Sequence, residues 1–443
     1  MTDAVAHERT RNYSHQVKSS VVFKGLAVAA SFFAVPLMIR YLGQEQYGIW
    51  STLLSIMSWV VFFDLGIGNG LRNKLAESLA KNQIAEAVGY ISSGYTWVGM
   101  ISLVLFVLVS ITSFFIPWQS VFNTRTLSEG MLRNAVLIAA FFILLNFWVG
   151  LINQVLNAVQ KTSLVVFGQF VSSVLGLAFV FVLTKTTDAS LLYLVAGYGM
   201  SIVAASLFLS FRFFGKRGEL TPKLSFERRH IHPLLLVGMQ FFVIQLAVLV
   251  IFTTDKILIT QLFGPQYVTQ YDVMFKLFSI ITLVHGLITA PLWSSCTDAY
   301  HRADLPWIKA TLRKQLMIFV GIVLATIMLG LLAKLIIKLW IGKDVEVSAL
   351  LIFSMGAFVV ISTWNNVFAY LLNGIEEIRV QLYTAIIAML INVPLSIFLA
   401  KHFGFGMSGI VWGTCSSLLI FAVAGPVQVI SILSFNKPTP TVI

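Results

Sequence analysis

Charged residues are scarce in this sequence. Asp, Glu, Lys and Arg make up 11% of the 443 residues, whereas hydrophobic residues make up 58%, and the mean hydropathy is +0.88. A soluble globular protein has roughly 25% charged residues, which supply the polar surface that water requires. The composition therefore excludes a soluble protein and indicates an integral membrane protein.

Cysteine and catalytic motifs are also scarce. The two cysteines, Cys296 and Cys415, lie in or beside apolar runs and have neither metal-ligand spacing nor a disulfide pattern. No P-loop, HExxH or GxSxG sequence occurs. The longest outward connection, from about Pro117 to Arg133, contains one acid, Glu129. These absences count against a membrane enzyme that acts on lipid-linked sugar, and they favour a protein that moves its substrate.

Acidic residues are fewer than basic ones, and 18 Asp and Glu against 30 Lys and Arg give a net charge of +12. In a soluble protein this excess would suggest nucleic acid, but here the basic residues lie in connections beside apolar runs, where they set orientation. Counted over alternate connections, roughly 19 fall on one side and roughly 7 on the other. This bias places both termini in the cytoplasm, predicts an even number of spans and gives no reason to expect a nucleic-acid partner.

Long apolar runs dominate the rest of the chain. About 20 apolar residues cross a bilayer, and the first apolar run is followed by no small-residue cleavage site, so we expect it to remain as an uncleaved span. On this basis the fold class is an all-α polytopic membrane protein. It has about twelve predicted spans, at 19–41, 47–70, 87–116, 134–158, 163–184, 189–214, 233–262, 267–296, 309–338, 346–373, 378–400 and 407–434.

An internal repeat organises these spans. The stretch at 36–64 has the same form as the stretch around 253–276, namely an apolar run, a turn with glycine, a tyrosine and a second apolar run. A further likeness appears when Asn157 is aligned with Asn373. Any two apolar hairpins have some likeness, but two similarities at nearly equal offsets favour a true repeat. The sequence therefore predicts an N-terminal six-helix lobe, a basic cytoplasmic linker and a C-terminal six-helix lobe, at 1–214, 215–232 and 233–443.

Charges within the seventh and eighth spans are the main functional clue. A charge at the centre of a membrane helix costs roughly 2.5 to 3.5 kcal/mol on insertion scales, so such residues suggest a polar interior. Lys256 lies on a polar helix face, which favours a functional role. Asp255 is one position off that face and pairs either with Lys256 or with a neighbouring helix, so substrate contact and structure are equally good interpretations. Lys276 shares a face with Asp272.

His285 lies in the same span as Lys276 but about half a turn away, so on a straight helix the two do not face one cavity. Its side chain titrates in the range that suits a proton-coupled step, which makes it a candidate coupling residue. The alternative is a packing histidine, which is the more common role for a lone histidine within a membrane.

The first two spans carry further candidates. Lys24 is either a cavity residue or a lysine that extends to the interface. Asp64 precedes three glycines and lies close enough to Lys24 to form an ion pair if the helices touch, so it is a candidate for substrate contact, for coupling or for structure. Arg72 lies at the cytoplasmic boundary, where it either meets an anionic headgroup or only sets orientation.

Asparagines form a third set. Asn146, Asn153 and Asn157 lie on one helical face of the fourth span, and the tenth span carries asparagines at 365, 366 and 373. Amides in hydrocarbon require partners. They either bond neighbouring helices or bind sugar hydroxyls in a wet cavity, and we retain Asn146 and Asn153 as candidate cavity residues.

Three motifs give the chain a family resemblance: VPLMIRYLGQEQYGIW, DLGIGNGLRNKLAE and DKILITQLFGPQYVTQYDV. With about twelve spans in two halves, the chain resembles, over nearly its whole length, the polysaccharide transporters of the multidrug/oligosaccharidyl-lipid/polysaccharide (MOP) exporter superfamily, and most of all the Wzx-type O-antigen flippases. The resemblance implies a V-shaped, MATE-like pair of six-helix lobes around a central cavity. It also implies transfer of an undecaprenyl-diphosphate-linked oligosaccharide from the cytoplasmic to the periplasmic leaflet of the bacterial inner membrane.

The resemblance also suggests a cargo, an alternative function and a set of partners. A cavity with Lys24, Arg72, Lys256 and Lys276 would suit an anionic diphosphate. The alternative is a cation-coupled multidrug exporter of the same superfamily, which would favour a more acidic, aromatic cavity. We expect no cofactor, H⁺ or Na⁺ as the candidate coupling ion, the lipid-linked oligosaccharide and the bilayer as partners, and polysaccharide polymerase machinery as a further candidate partner.

Overall fold

The computed structural model describes residues 2–59, 66–289, 292–302, 304–342, 345–375 and 377–434, and within these ranges it contains fifteen α-helices and no strand. A short 3-10 helix, Gly218–Leu220, lies between the eighth and ninth helices. The helices are α1 Thr2–Ser58, α2 Ile67–Ala80, α3 Ile84–Thr112, α4 Trp118–Val121, α5 Glu129–Val149, α6 Ile152–Ala158, α7 Thr162–Thr186, α8 Leu191–Phe214, α9 Arg228–Phe263, α10 Pro265–Thr289, α11 Leu292–His301, α12 Leu305–Trp340, α13 Ala349–Gly374, α14 Arg379–His402 and α15 Met407–Ser434.

Ten helical stretches among the described residues are long and apolar enough to cross a bilayer. One of them, Ser19–Ser58, has 40 residues; at about 1.5 Å per residue it would extend to about twice the thickness of the hydrocarbon core. Gly43 breaks it with φ 76°, so it accounts for the first two predicted spans. The predicted seventh span corresponds to α9, which has 36 residues. The prediction of an all-α polytopic fold is thus confirmed.

Three predicted spans are each described as more than one helix in the structure. The second was expected to continue to residue 70, but Gly66, in the left-handed region at φ 78°, begins the separate helix α2. The fourth is divided into α5 and α6 at Gly150. The eighth, predicted to continue to residue 296, is described as α10, which ends at Thr289, and α11, which begins at Leu292; residues 290–291 between them lie outside the described residues.

The helix boundaries repeat between the two halves of the chain. Helices α7 and α14 begin at Thr162 and Arg379 and end at Thr186 and His402. Helices α5 and α13 both start after a serine, Ser128 or Ser348, whose hydroxyl accepts a hydrogen bond from a backbone N–H in the first turn. These matches agree with the predicted repeat.

The chain forms two compact units, residues 1–246 and 247–443, called here the N-terminal and C-terminal units. Their division falls within α9 and not in the connection that precedes it. The sequence predicted two lobes and a linker, with boundaries at 1–214, 215–232 and 233–443. This division stays a prediction.

Each unit has its own buried core at equivalent positions. In the N-terminal unit α2, α3 and α6 meet around Leu71, Ile91 and Leu156, which have no exposed surface. In the C-terminal unit α11, α12 and α13 meet around side chains that include Ile308 and Leu372. When Asn157 is aligned with Asn373, Leu156 coincides with Leu372, so the repeat extends to the core.

Candidate functional site

The C-terminal unit contains a cluster of three charged side chains on α9 and α10. The Nζ atom of Lys256 lies 2.5 Å from Oδ1 of Asp272, and the Nζ atom of Lys276 lies 3.3 Å from Oδ2 of the same carboxylate. The Asp272 side chain is 2% exposed, whereas those of Lys256 and Lys276 are 22% and 26% exposed. One buried carboxylate therefore positions two partly accessible ammonium groups.

The turn between the helices explains why these residues meet. Gly264 has φ 106°, a conformation that side chains other than glycine rarely adopt, and it allows α10 to begin directly after α9. Lys256 precedes this glycine by as many residues as Asp272 follows it, so an antiparallel turn brings them side by side. Lys276 then lies one helical turn beyond Asp272.

Asp255 belongs to a separate network, in which its partners are neutral side chains. Its carboxylate accepts hydrogen bonds from the hydroxyl of Tyr271, at 3.1 Å, and from that of Thr414 on α15, at 3.0 Å. The residue is 3% exposed. Of the two partners predicted for Asp255, the structure therefore selects neighbouring helices and not Lys256.

Asn392 on α14 extends this network. Its side-chain amide donates to the hydroxyl oxygens of Thr414, at 3.1 Å, and Ser417, at 3.2 Å, and its carbonyl oxygen accepts from Thr254 at 3.5 Å. Asn392 has no exposed surface. Three helices, α9, α14 and α15, are thus joined by polar contacts within the C-terminal unit.

A cavity of about 320 Å³ adjoins the network, because Ser417 also lines it. Its wall combines phenylalanines with amides and hydroxyls. Among the described residues, three wall atoms are buried without a hydrogen-bond partner: Oδ1 of Asn365, Oγ of Ser362 and Oε1 of Gln381. Such atoms are satisfied by water or by a polar ligand.

The N-terminal unit contains a cavity of about 290 Å³ with a more polar lining. Asn146 and Asn153 both line it, although Gly150 interrupts the helix between them. The hydroxyl of Ser206 donates to Oδ1 of Asn146 at 2.7 Å. The other polar residues of the wall are Gln169, Ser172 and Ser173.

Lys24 lies beside this cavity. Its Nζ atom donates to Oε1 of Gln169 at 3.2 Å, and Gln169 is part of the cavity wall. The structure therefore brings Lys24, Asn146 and Asn153 into one neighbourhood. Asp64, the predicted ion-pair partner of Lys24, falls outside the described residues.

Arg72 is exposed on α2 and is not among the residues that line the polar cavity. The same helix carries Glu77, which bonds Lys81 and Lys74 at 2.7 and 2.9 Å. These two ammonium groups lower the pKa of Glu77 to about 2. Arg72 therefore lies on a charged surface, and its predicted contact with an anionic headgroup stays a prediction.

His285 is fully buried in α10. Within the part of the chain that the structure describes, neither ring nitrogen has a hydrogen-bond partner. The sequence allowed a packing histidine with satisfied hydrogen bonds, and this environment does not match that role. It also gives little support to a coupling role, because a proton carrier needs a partner with which to exchange protons.

Sequence reasoning found the two lysines but not the residues that hold them. Asp272 was seen only as a member of a helical face, although its spacing of four residues from Lys276 is the signal of an ion pair. Asn392 gave no signal, because a single amide in an apolar helix does not reveal which helix it faces. Gln169 could have been found as a polar residue on the same turn as Ser172 and Ser173.

The sequence matches known proteins over most of its length. A family model described as "Polysaccharide biosynthesis protein" matches residues 17–294. A proposed O-antigen transporter of Salmonella typhimurium is 24% identical over 82% of this chain and 83% of its own length. A proposed O-antigen export protein of Yersinia pseudotuberculosis is 21% identical over 89% of this chain and 90% of its own length.

Solved structures show the same fold. The inward-facing conformation of a multidrug resistance MATE family transporter of the MOP superfamily matches with a TM-score of 0.77 and 15% identity, over 95% of this chain and 99% of that one. The lipid II flippase MurJ in an inward closed conformation matches with a TM-score of 0.71 and 15% identity, over 93% and 87%. At this identity the likeness describes the fold alone.

Proposed function

Because the chain belongs to the polysaccharide biosynthesis protein family, we propose that it is a flippase for an undecaprenyl-diphosphate-linked oligosaccharide of the O-antigen type. It is a multi-pass protein of the bacterial inner membrane, and its cargo moves by alternating access from the cytoplasmic to the periplasmic leaflet. Both termini lie in the cytoplasm on this proposal, as the distribution of basic residues favours. The polymerase that uses the translocated unit is a candidate partner.

The lysine cluster is the observation that carries the proposal. Lys256 and Lys276 share one carboxylate, that of Asp272, so these three side chains together have an excess of one positive charge. A diphosphate that leaves water requires such compensation, and charge-assisted hydrogen bonds are the strong ones. Asp255 does not cancel this excess directly, because its contacts are to hydroxyl groups.

The polar cavity of the N-terminal unit supports the sugar part of the cargo. Its amides and hydroxyls, including Asn146 and Asn153, both donate and accept hydrogen bonds, as sugar hydroxyls do. Lys24, beside the cavity, adds a cation. The same set of groups offers little to a hydrophobic cationic drug.

The coupling step is proposed to involve Asp255. It is a buried carboxylate held by hydroxyl groups, so uptake of a proton or of Na⁺ would change the charge of its network. His285 is the weaker candidate, because it lacks partners among the described residues. Asp64 stays a candidate from the sequence. Flipping is measured in vesicles that carry either a pH gradient or a Na⁺ gradient, to find which gradient increases its rate. In Asp255→Asn, that gradient should no longer change the rate of flipping.

The first test is deletion of the gene in its native host. Surface polysaccharide is then measured together with the membrane leaflet that holds the lipid-linked precursor. The proposal requires that polymer is lost and that precursor accumulates on the cytoplasmic face. Normal polymer with normal precursor would reject it.

The second test uses variants at the cluster. Lys256→Gln and Lys276→Gln should fail to restore polymer although the proteins reach the membrane at the normal level. Lys401→Gln is the matched control, because this lysine is exposed in the last turn of α14 and has no part in the cluster. Full activity of both cluster variants would remove the anionic-cargo argument.

A multidrug exporter is the second candidate, because a multidrug resistance MATE family transporter has the same fold. The deletion strain distinguishes the two functions. If the protein is an exporter, its deletion leaves surface polymer unchanged and increases the accumulation of cationic dyes. If it is a flippase, its deletion abolishes surface polymer and leaves dye accumulation unchanged.

A further inference from the structure

A second cavity of the N-terminal unit lies outside the site described above. It has a volume of about 490 Å³ and is lined by α3, α5 and two residues of the connection between α8 and α9. The α8–α9 connection is defined here as residues 215–227. Most of the cavity wall is apolar, with Leu103, Phe106, Phe141, Leu144 and Trp148 among its members. Such a lining suits a hydrocarbon chain.

The α8–α9 connection is fastened along α3. The backbone N–H of Lys223 donates to the hydroxyl of Ser92, and that of Ser225 donates to the hydroxyl of Thr96, both at 3.0 Å. Ser92 and Thr96 are one helical turn apart, about 6 Å, which is close to the advance of two residues of extended chain. One turn of α3 thus has about the same length as two residues of the extended connection, and the two hydrogen bonds hold the connection against α3.

Alternate residues of this extended segment line the cavity. Leu224 and Phe226 belong to its wall, as expected where successive side chains point to opposite sides. Leu224 is 81% exposed and Phe226 is 58% exposed, whereas Leu220, a few residues earlier, is fully buried. The protein thus leaves two apolar side chains uncovered at the cavity, where a lipid chain would cover them.

Basic residues lie close in the sequence to Leu224 and Phe226. Four basic residues before and within the connection are exposed and form no salt bridge among the described residues, in contrast to Arg229, which pairs with Glu86. They are Arg212, Lys216, Arg217 and Lys223. Clusters of lysine and arginine beside a membrane helix attract anionic lipid headgroups.

We propose that this cavity binds an acyl chain of an anionic phospholipid and that Lys223, with the neighbouring cations of the α8–α9 connection, binds its headgroup. Lys223 directly precedes Leu224, so its long, flexible side chain begins one residue from the apolar wall. A phospholipid has the same order of parts, an anionic group joined to a chain. The site does not depend on the transported cargo.

The test measures phospholipid bound to the full-length protein by native mass spectrometry, with phosphatidylglycerol and phosphatidylcholine of equal chain length as probes. We expect retention of phosphatidylglycerol and not of phosphatidylcholine. The variant K216Q/R217Q/K223Q should weaken phosphatidylglycerol binding by about tenfold or more. The charge-matched control K309Q/R313Q/K314Q, which changes three exposed basic residues of α12, should bind like the wild type.

A second variant tests the cavity. L224N/F226N keeps every cation and alters only exposed side chains, so folding should be preserved while phosphatidylglycerol retention falls. Equal retention of the two phospholipids by the wild type, or equal loss in the triple variant and its control, would overturn the headgroup site. Unchanged retention in L224N/F226N would overturn the chain site. In a competition experiment, bound lipid that is displaced by undecaprenyl phosphate but not by excess phosphatidylglycerol would reject a phospholipid site. The cavity would then belong to the lipid of the cargo.

Discussion

The N-terminal and C-terminal units share a helix order but differ in where they place charge. When the turn glycines of the two halves are aligned, Val35 stands at the position of Lys256 and Ser51 at that of Asp272. The N-terminal unit has instead a lysine, Lys24, bonded to the neutral amide of Gln169. The C-terminal unit thus carries two lysines held by one buried carboxylate, whereas the N-terminal unit carries a lysine held by a neutral amide.

The two cavities differ in the same way. Aligning Asn157 with Asn373 places Val165 at Gln381 and Ile202 at Leu418, and these four residues line the two cavities, so the cavities occupy equivalent positions. Asn153 of the N-terminal wall nevertheless corresponds to an alanine. The repeat preserved the position of the cavity and changed the polarity of its wall.

The largest effect should come from removing the shared carboxylate. Asp272→Asn leaves two ammonium groups beside a buried neutral amide, and loss of one partner of a buried ion pair destabilises by about 3 to 5 kcal/mol. We expect the detergent-solubilised protein to lose its monodisperse form at a markedly lower temperature, as followed by size-exclusion chromatography after heating.

Ser51→Ala is the control at the corresponding position of the N-terminal unit, because it removes a buried polar side chain without removing a charge. A Ser51→Ala variant as unstable as Asp272→Asn would contradict the view that the C-terminal cluster depends on its ion pairs.

Helix packing gives a second contrast of intermediate size. The predicted repeat aligns Gly413 with Gly197. A Cβ atom at Gly413 would lie 2.6 Å from the backbone nitrogen of Ser396 on α14, whereas one at Gly197 would meet the ring of Phe179, with Cζ at 2.7 Å. A backbone atom moves only with its helix, but a half-buried ring can rotate away.

We therefore expect Gly413→Ala to destabilise the protein by about 1 to 3 kcal/mol, the usual range for overpacking, and Gly197→Ala to destabilise it less. Thermal inactivation of the two variants, measured side by side, ranks them. Equal effects would mean that α14 and α15 separate as easily as the ring of Phe179 rotates.

The sequence predicted much of this arrangement for physical reasons. Apolar runs of membrane length identify helices, and glycines between such runs identify turns, so the spans and the repeat could be predicted. Gly43 and Gly264 do adopt positive φ in the structure. Breaks within apolar runs, as at Gly150, could not be predicted, because glycine is tolerated inside membrane helices. The contacts of Asn392 depend on which helices are neighbours, and hydropathy contains no information about neighbours.

The smallest change in stability, with a large change in function, is expected at Lys24. Its partner Gln169 is exposed and neutral, so Lys24→Gln should alter the free energy of unfolding by about 1 kcal/mol or less. If the cation contacts an anionic cargo, polymer export should nevertheless fall, and Lys24→Arg should restore it because the charge is kept. If Lys24 only extends to the interface, all three forms should export equally. The combined measurement of export and thermal stability thus separates binding from folding at Lys24, because its hydrogen bond is to a neutral amide. Asp272→Asn does not separate them, because loss of its ion pairs is expected to lower stability.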